Sequence, residues 1–209
     1  MTFVLPPGCV KAAGGNDFYF QDEGHRYFMG GQEVPSVSSI LKKSGMVDDS
    51  HYTDEHRARG HAVHFGTRLL DEGDLGQIDP RIAPYLAAYA NFLEKHNPSW
   101  LSIEQPLIHP HYRFGVTHDR AGIVDGLSGV VEIKTTESVS TKIHKAWRLQ
   151  TAAQSIAVYD CLGIVCISRW VLNLSKKGTY KFEQFPIKDN PSDRQDFLSL
   201  LRSHQMRAA

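Results

Sequence analysis

Cysteine is scarce. The 209 residues contain three, Cys9, Cys161 and Cys166, with no Cys-x-x-Cys pair. That excludes a disulfide framework, a four-thiolate zinc site and a four-cysteine iron–sulfur cluster, and reduced, packed thiols are expected. No apolar run approaches the ~18–20 residues of a membrane helix. The opening MTFVLPPGCV lacks the basic start and long apolar stretch of a secretory signal, so a soluble, cytoplasmic chain is expected. Net charge is missing as well: 23 Lys and Arg balance 23 Asp and Glu. A globally polybasic nucleic-acid binder is excluded, and any such surface must be local. What remains is an ordinary globular composition, 41% hydrophobic and 10% aromatic, long enough for one substantial core. A single domain over 1–209 is expected, with a small N-terminal appendage at about 1–47.

Within that appendage, Phe18 to Val34 alternates short aromatic runs with Gly-containing turns, the pattern of β-hairpins. Pro35-Ser36 opens a short helix that ends near Gly45. Asp54 is placed to cap a helix through about Leu70, and Ile82 to about His96 reads as another, with Leu86, Tyr89, Ala90 and Leu93 on one face. From Ser102 to Thr135 the signal changes to strands: SIEQPLIH, the stretch from Phe114 to Val124, and VVEIKT. A helix over about Ile143 to Tyr159 follows, then CISRWVLNL and TYKFEQFPI as strands, then a helix after Pro191. The order α, βββ, α, ββ, α predicts an α/β fold, a central mixed β-sheet flanked by helices, with no internal repeat.

Charge is unevenly distributed despite its zero sum. Asp48 to Pro80 holds eight acidic and three basic residues, whereas Lys134 to Lys181 holds eight basic and two acidic. The basic half is suited to face phosphates, although Lys142, Lys145, Arg148, Lys176 and Lys177 each read singly as solvated surface and only their grouping after the candidate site points to phosphate.

The residues that carry chemistry begin in VVEIKTT. Strand alternation sends Glu132 and Lys134 to one side and Val131 and Ile133 to the other. Upstream, Asp125-Gly126 is a strong two-residue hairpin turn, and it pairs positions whose numbers sum to 251. Asp119 then lies opposite Glu132, and Asp119, Glu132 and Lys134 form one cluster. Two carboxylates crowded on a sheet are unfavourable unless a cation sits between them, and carboxylate oxygens are ligands that Mg²⁺ prefers. A loop lengthened through Leu127-Ser-Gly129 would instead make Asp125 a strand residue and a rival acid.

Gly115-Val-Thr-His-Asp119-Arg-Ala-Gly-Ile-Val-Asp-Gly126, followed by Val131-Glu-Ile-Lys-Thr135, resembles the active-site hairpin of PD-(D/E)XK nucleases of the RecB-like and phage exonuclease type. Pro35-Ser-Val-Ser-Ser-Ile-Leu41 is similar to the family's N-terminal helix, Arg59-Gly-His-Ala-Val-His64 to its Arg-Gly-x-x-x-His segment, and Trp147-Arg-Leu-Gln150-Thr-Ala-Ala-Gln154 to the helix that follows the catalytic strand. The resemblance implies a restriction-endonuclease-like core and a DNA phosphodiester hydrolase, most readily an exonuclease of recombination, repair or phage genome processing. It implies Asp119, Glu132, Lys134 and Gln150 as catalytic residues. It also implies one or two Mg²⁺ or Mn²⁺ ions on His64, Asp119, Glu132 and the Ile133 carbonyl. Two departures are visible: Gln154 stands where the family has Tyr, and Val-Thr-His precedes Asp119 where Gly-Thr-x is commoner.

His64 also has a case of its own. Arg57, His61, His64 and Arg68 form one polar helical stripe opposite Ala58, Ala62, Phe65 and Leu69. Gly60, costly inside a helix, fits a place where that helix nears another backbone. Glu104 reads either as a further acid near the metals or as a solvent-facing strand residue. DNA, as single strands or duplex ends, is the expected partner, with Lys142, Lys145 and Arg148 on its backbone; the sequence names no protein partner and no membrane. The rival readings are a binding or structural protein that keeps the nuclease fold, and an endonuclease, either structure-specific or site-specific; the site-specific kind needs base-reading elements, and no helix-turn-helix is evident.

Overall fold

A computed structural model of the chain describes residues 4–47, 53–74, 76, 78–139 and 144–208. The aromatic runs near the N-terminus form a four-stranded antiparallel sheet, β1 (Cys9–Lys11), β2 (Phe18–Gln21), β3 (Arg26–Met29) and β4 (Gln32–Val34), in sequential order. Its inner face, Phe18, Phe20, Tyr27 and Val34, packs on Ala12 and Ile108. The Tyr27 hydroxyl meets Thr117 Oγ1 at 2.8 Å. Bridges Ala13↔Leu107 and Ser36↔Gly115 tie this sheet to the next one. Only glycine fits at 115, because a Cβ there would fall 2.1 Å from the Tyr27 ring.

Three helices follow: α1 (Val37–Lys43), α2 (Asp54–Asp71) and α3 (Ala83–His96). Ser36 caps α1, its hydroxyl accepting from the Ser39 N–H at 3.1 Å. The cap of α2 is Thr53 and not Asp54, which already lies inside the helix. The Thr53 hydroxyl accepts from the His56 N–H at 3.2 Å while the His56 ring accepts back from the Thr53 N–H at 3.4 Å, a reciprocal capping box.

The central sheet runs β5 (Ser99–Ile108), β6 (Gly115–Val124), β7 (Leu127–Thr136), β8 (Ser168–Ser175) and β9 (Tyr180–Gln184), paired in that order. All neighbours are antiparallel except β7 and β8, which α4 (Lys145–Leu162) joins by a parallel crossover. α5 (Asn190–Ala208) closes the chain, with Pro191 inside its first turn, where the missing N–H costs nothing.

Each sheet face has its own core. Val116, Ala121 and Val130 pack under α4, α1 and α5 through Leu149, Ala153, Ile40 and Phe197. On the other face, Val124, Val131, Ile133 and Leu172 meet α3 through Tyr85, Leu86, Tyr89 and Phe92. The buried stripe of α3 therefore includes Tyr85, Ala88 and Phe92, while Ala90 is exposed. In α2 the face is rotated from the one expected: Val63, Gly66 and Thr67 are buried and Phe65 is 54% exposed. The close approach falls at Gly66, where a Cβ would stand 2.9 Å from Leu86; Gly60 has nothing within 4 Å. No described helix is long and apolar enough to cross a membrane. Cys166 is buried, and Cys9 and Cys161 are partly so, all three as free thiols.

Candidate active site

β6 and β7 pair from Val124↔Leu127 to Arg120↔Val131, each pair summing to 251. Asp125 and Gly126 form the turn in the left-handed conformation, with φ of 50° and 79°. Asp125 is thus a turn residue and no rival acid; its carboxylate holds the His96 ring at 2.9 Å. Past the last pair the strands part. Residues 115–118 of β6 stay with β5, and residues 132–136 of β7 stay with β8. In the opening, Asp119 Oδ2 accepts the Ile133 N–H at 2.6 Å, a side chain standing in for a lost ladder bond.

Two groups of side chains meet there. In the first, His64 Nδ1 from α2 lies 3.4 Å from Asp119 Oδ1 and 3.4 Å from Glu104 Oε1. Three candidate ligand atoms of His64, Glu104 and Asp119 lie within 4.8 Å of one another. Burial opposes the charge on Asp119, yet the His64 charge and hydrogen bond, Lys134 and the Ile133 N–H hold its carboxyl below the usual range. Burial equally opposes a charged His64, but Asp119 and Glu104 outweigh it and lift the ring to about 10. Without a metal the two carboxylates share the protonated ring as their cation; once that proton is displaced, the oxygens and the neutral imidazole are a donor set that fits a divalent ion such as Mg²⁺ or Mn²⁺.

Glu104 arrives by an unusual backbone. It has φ of 49° within β5, between Ile103 and Gln105, which pair normally with Arg120 and His118. Buried Arg120 braces it from behind. Its guanidinium donates to Glu104 Oε1 at 3.2 Å, to Asp71 Oδ2 at 2.6 Å and to Thr67 Oγ1 at 3.1 Å. Asp71 is fixed in turn by the Tyr89 hydroxyl and the Trp100 indole N–H, both at 2.9 Å. No buried side-chain nitrogen or oxygen of Arg120, Asp71, Thr67, Tyr89 or Trp100 is left without a partner, so Glu104 rests on a satisfied support.

The second group surrounds Glu132, which is 3% exposed. Its Oε1 accepts from Lys134 Nζ and from Gln150 Nε2, each at 2.7 Å, and its Oε2 accepts from Gln154 Nε2. Gln150 Oε1 accepts from Lys134 Nζ at 3.1 Å. Burial, then the Asp119 charge, push the Glu132 carboxyl up, against Lys134 and Gln154. Among the described residues Glu104 thus stands with the expected ligands His64 and Asp119, while the expected ligand Glu132 accepts hydrogen bonds on both oxygens. Gln154, in the place of the family's Tyr, is an amide donor to Glu132. Ile133 meets the site through its N–H; its carbonyl lies on the same strand edge.

The expected DNA contacts fare differently. Lys142 lies outside the described residues. Lys145 is exposed, with its ammonium 3.4 Å from Asp196 of α5. Arg148, its side chain 30% exposed, pairs with Asp189 at 3.0 Å and with Asp193 of α5 at 2.9 Å, a tie between α4 and α5. Glu104, Arg120 and Asp71 are the site residues that sequence reasoning left out or left open.

No protein-family model matches the sequence, and no curated protein sequence matches it. Solved structures do. A "putative exonuclease" from Eubacterium rectale superposes with a TM-score of 0.51 at 13% identity, over 81% of this chain and 71% of that one. The fold is the restriction-endonuclease-like one. An alkaline exonuclease from Laribacter hongkongensis also aligns, at TM-score 0.39 and 14% identity over 81% of this chain and 88% of that one. The same exonuclease in complex with dAMP aligns at TM-score 0.30 and 14% identity, over 82% and 89%.

Proposed function

We propose that the chain is a metal-dependent DNA nuclease, and most specifically an exonuclease serving recombination, repair or phage genome processing. The observation that carries this reading is the parting of β6 and β7 at Asp119 and Glu132, which gathers two carboxylates, a lysine and a glutamine beside an imidazole and a third carboxylate. His64, Glu104 and Asp119 would hold Mg²⁺ or Mn²⁺, with Glu132 and the Ile133 carbonyl adjacent. When bound, the ion supplies positive charge to the oxygens of the reacting phosphate.

The chain's own residues do the rest. Lys134, oriented by Glu132 and Gln150, presents its ammonium to the attacking water and positions it for in-line displacement. Gln150 and Gln154 fix Glu132 so that it accepts from Lys134 without swinging away. Arg120 keeps Glu104 from withdrawing when the charge at the site changes.

The test uses pure protein with Mn²⁺ and three DNAs: circular single-stranded, circular duplex and linear. Linear DNA is expected to disappear while both circles persist, and Lys134→Ala is expected to abolish the loss while remaining folded. Nicked circles would replace the reading by an endonuclease, and no cleavage of any substrate by a binding protein. Undiminished degradation by Lys134→Ala would remove the lysine from the mechanism.

A further inference from the structure

Just past the catalytic strand lies a charge arrangement that the site does not use. Arg59 of α2 donates through Nη1 to Glu137 Oε1 at 2.9 Å, and Lys176, in the β8–β9 turn, brings its Nζ within 3.6 Å of Glu137 Oε2. Both partners are set in place by other contacts. The Arg59 guanidinium lies over the Tyr85 ring, 5.9 Å from its centroid. The Lys176 N–H donates to the Thr136 carbonyl at 3.1 Å, fastening the turn to the end of β7. Thr136 in turn donates to Asn173 on β8 at 2.8 Å.

This is more than an exposed ion pair. Exposed pairs contribute little to stability and need no preparation. Here the Arg59 side chain is only 21% exposed, whereas Glu137 and Lys176 are 62% and 64% exposed. Two buried polar atoms beside it, Arg59 Nε and the Tyr85 hydroxyl, have no hydrogen-bond partner among the described residues. Burial pushes the Tyr85 hydroxyl above its ordinary value, the Arg59 charge opposing and the Glu137 charge adding to it. A guanidinium with an unspent donor and a second cation flank one exposed carboxylate, with the Tyr85 ring under the guanidinium. That is donor chemistry for a tetrahedral oxyanion with more acceptors than a carboxylate has. Glu137 lies three residues beyond Lys134 and one past the end of β7, roughly 10 Å along the chain from the reacting centre.

We propose that Arg59 and Lys176, with Tyr85 beneath, form the seat for a backbone phosphate next to the one cleaved, and that Glu137 fills this seat as a built-in counter-ion in the free protein. The seat rests on the nuclease reading for its ligand class, a polynucleotide phosphate. Binding DNA exchanges one anion for another: the Glu137 carboxylate swings to solvent and the phosphate takes its place. The exchange lowers affinity for short or misplaced strands, because each must displace the carboxylate.

The experiment is a titration of a twelve-nucleotide single-stranded DNA without divalent metal, at several salt concentrations, alongside Mn²⁺-dependent cleavage by the unaltered chain. Glu137→Gln is expected to tighten binding about fivefold and to steepen the log–log salt slope by about one, since freed cations now neutralise phosphate. Glu94→Gln, the same charge change on α3, is expected to do neither. In an Arg59→Ala background the gain from Glu137→Gln is expected to vanish; Arg59→Lys, which keeps the charge and spares the helix, is expected to retain part of it. An unchanged affinity in Glu137→Gln, an equal gain in Glu94→Gln, or a full gain without Arg59 would each overturn the proposal. These outcomes concern binding alone. Absent cleavage by the unaltered chain would overturn the nuclease reading instead, and absent binding by both the unaltered chain and Glu137→Gln would overturn the seat.

Discussion

Glu104 separates what the residues say from what their arrangement says. Its position depends on a left-handed φ of 49° and on a shift in β5 pairing between Trp100 and Ser102, neither of which leaves a mark in SIEQPLIH. The loop from His109 to Phe114 carries no two-residue turn that would fix which β5 residue faces Asp119. By contrast Asp125-Gly126 sets its own register through its turn chemistry, so the pairing that carries Asp119 and Glu132 to the point where the strands part is legible. Because Glu104, and not Glu132, stands with His64 and Asp119, Glu104→Ala is expected to weaken Mn²⁺ binding about tenfold or more in calorimetry. Glu132→Ala, whose carboxylate is spent on Lys134 and two glutamines, is expected to weaken it less. The reverse order would restore the ligand set expected from the resemblance.

Among the elements, α2 shows why periodicity places a helix without orienting it. Ala58-Ala62-Phe65-Leu69 and Val63-Gly66-Thr67 are both stripes at helical spacing, and apolar content favours the first. The fold buries the second, because small side chains there let α3 come close, and Phe65 is left outside under Arg68 at 5.1 Å. The two glycines divide accordingly. Gly60→Ala adds a methyl to open space and is expected to stabilise the protein by about 1 kcal/mol, the ordinary helix gain. Gly66→Ala sets a methyl against the δ-carbons of Leu86, 2.9 and 3.0 Å away on a residue only 4% exposed, and is expected to destabilise. Urea midpoints that move in the same direction for both variants would refute this orientation of α2 against α3.

For the whole molecule, the excess of basic residues between Lys134 and Lys181 suggests a cationic face, but folding neutralises most of it from within. Lys134 serves Glu132, Lys145 leans on Asp196, Arg169 and Arg148 share Asp193, Lys176 holds Glu137, and Lys181 pairs with Glu183. Most of those acids lie outside the segment, so a count along the chain could not reveal them. A chain of zero net charge whose cations are so engaged has few to spend on phosphates, and its DNA affinity is expected to fall with salt by a shallow slope. Arg148 gives the sharpest case. It bridges α4 to Asp189 and to Asp193, which is 5% exposed and also receives buried Arg169. Arg148→Ala leaves Asp193 with half its support and is expected to cost roughly 1–3 kcal/mol of stability, read from denaturant unfolding, while leaving DNA affinity at low salt unchanged. A loss of affinity at intact stability would mean that Arg148 exchanges its aspartates for a phosphate, and that the cationic half of the sequence faces DNA after all.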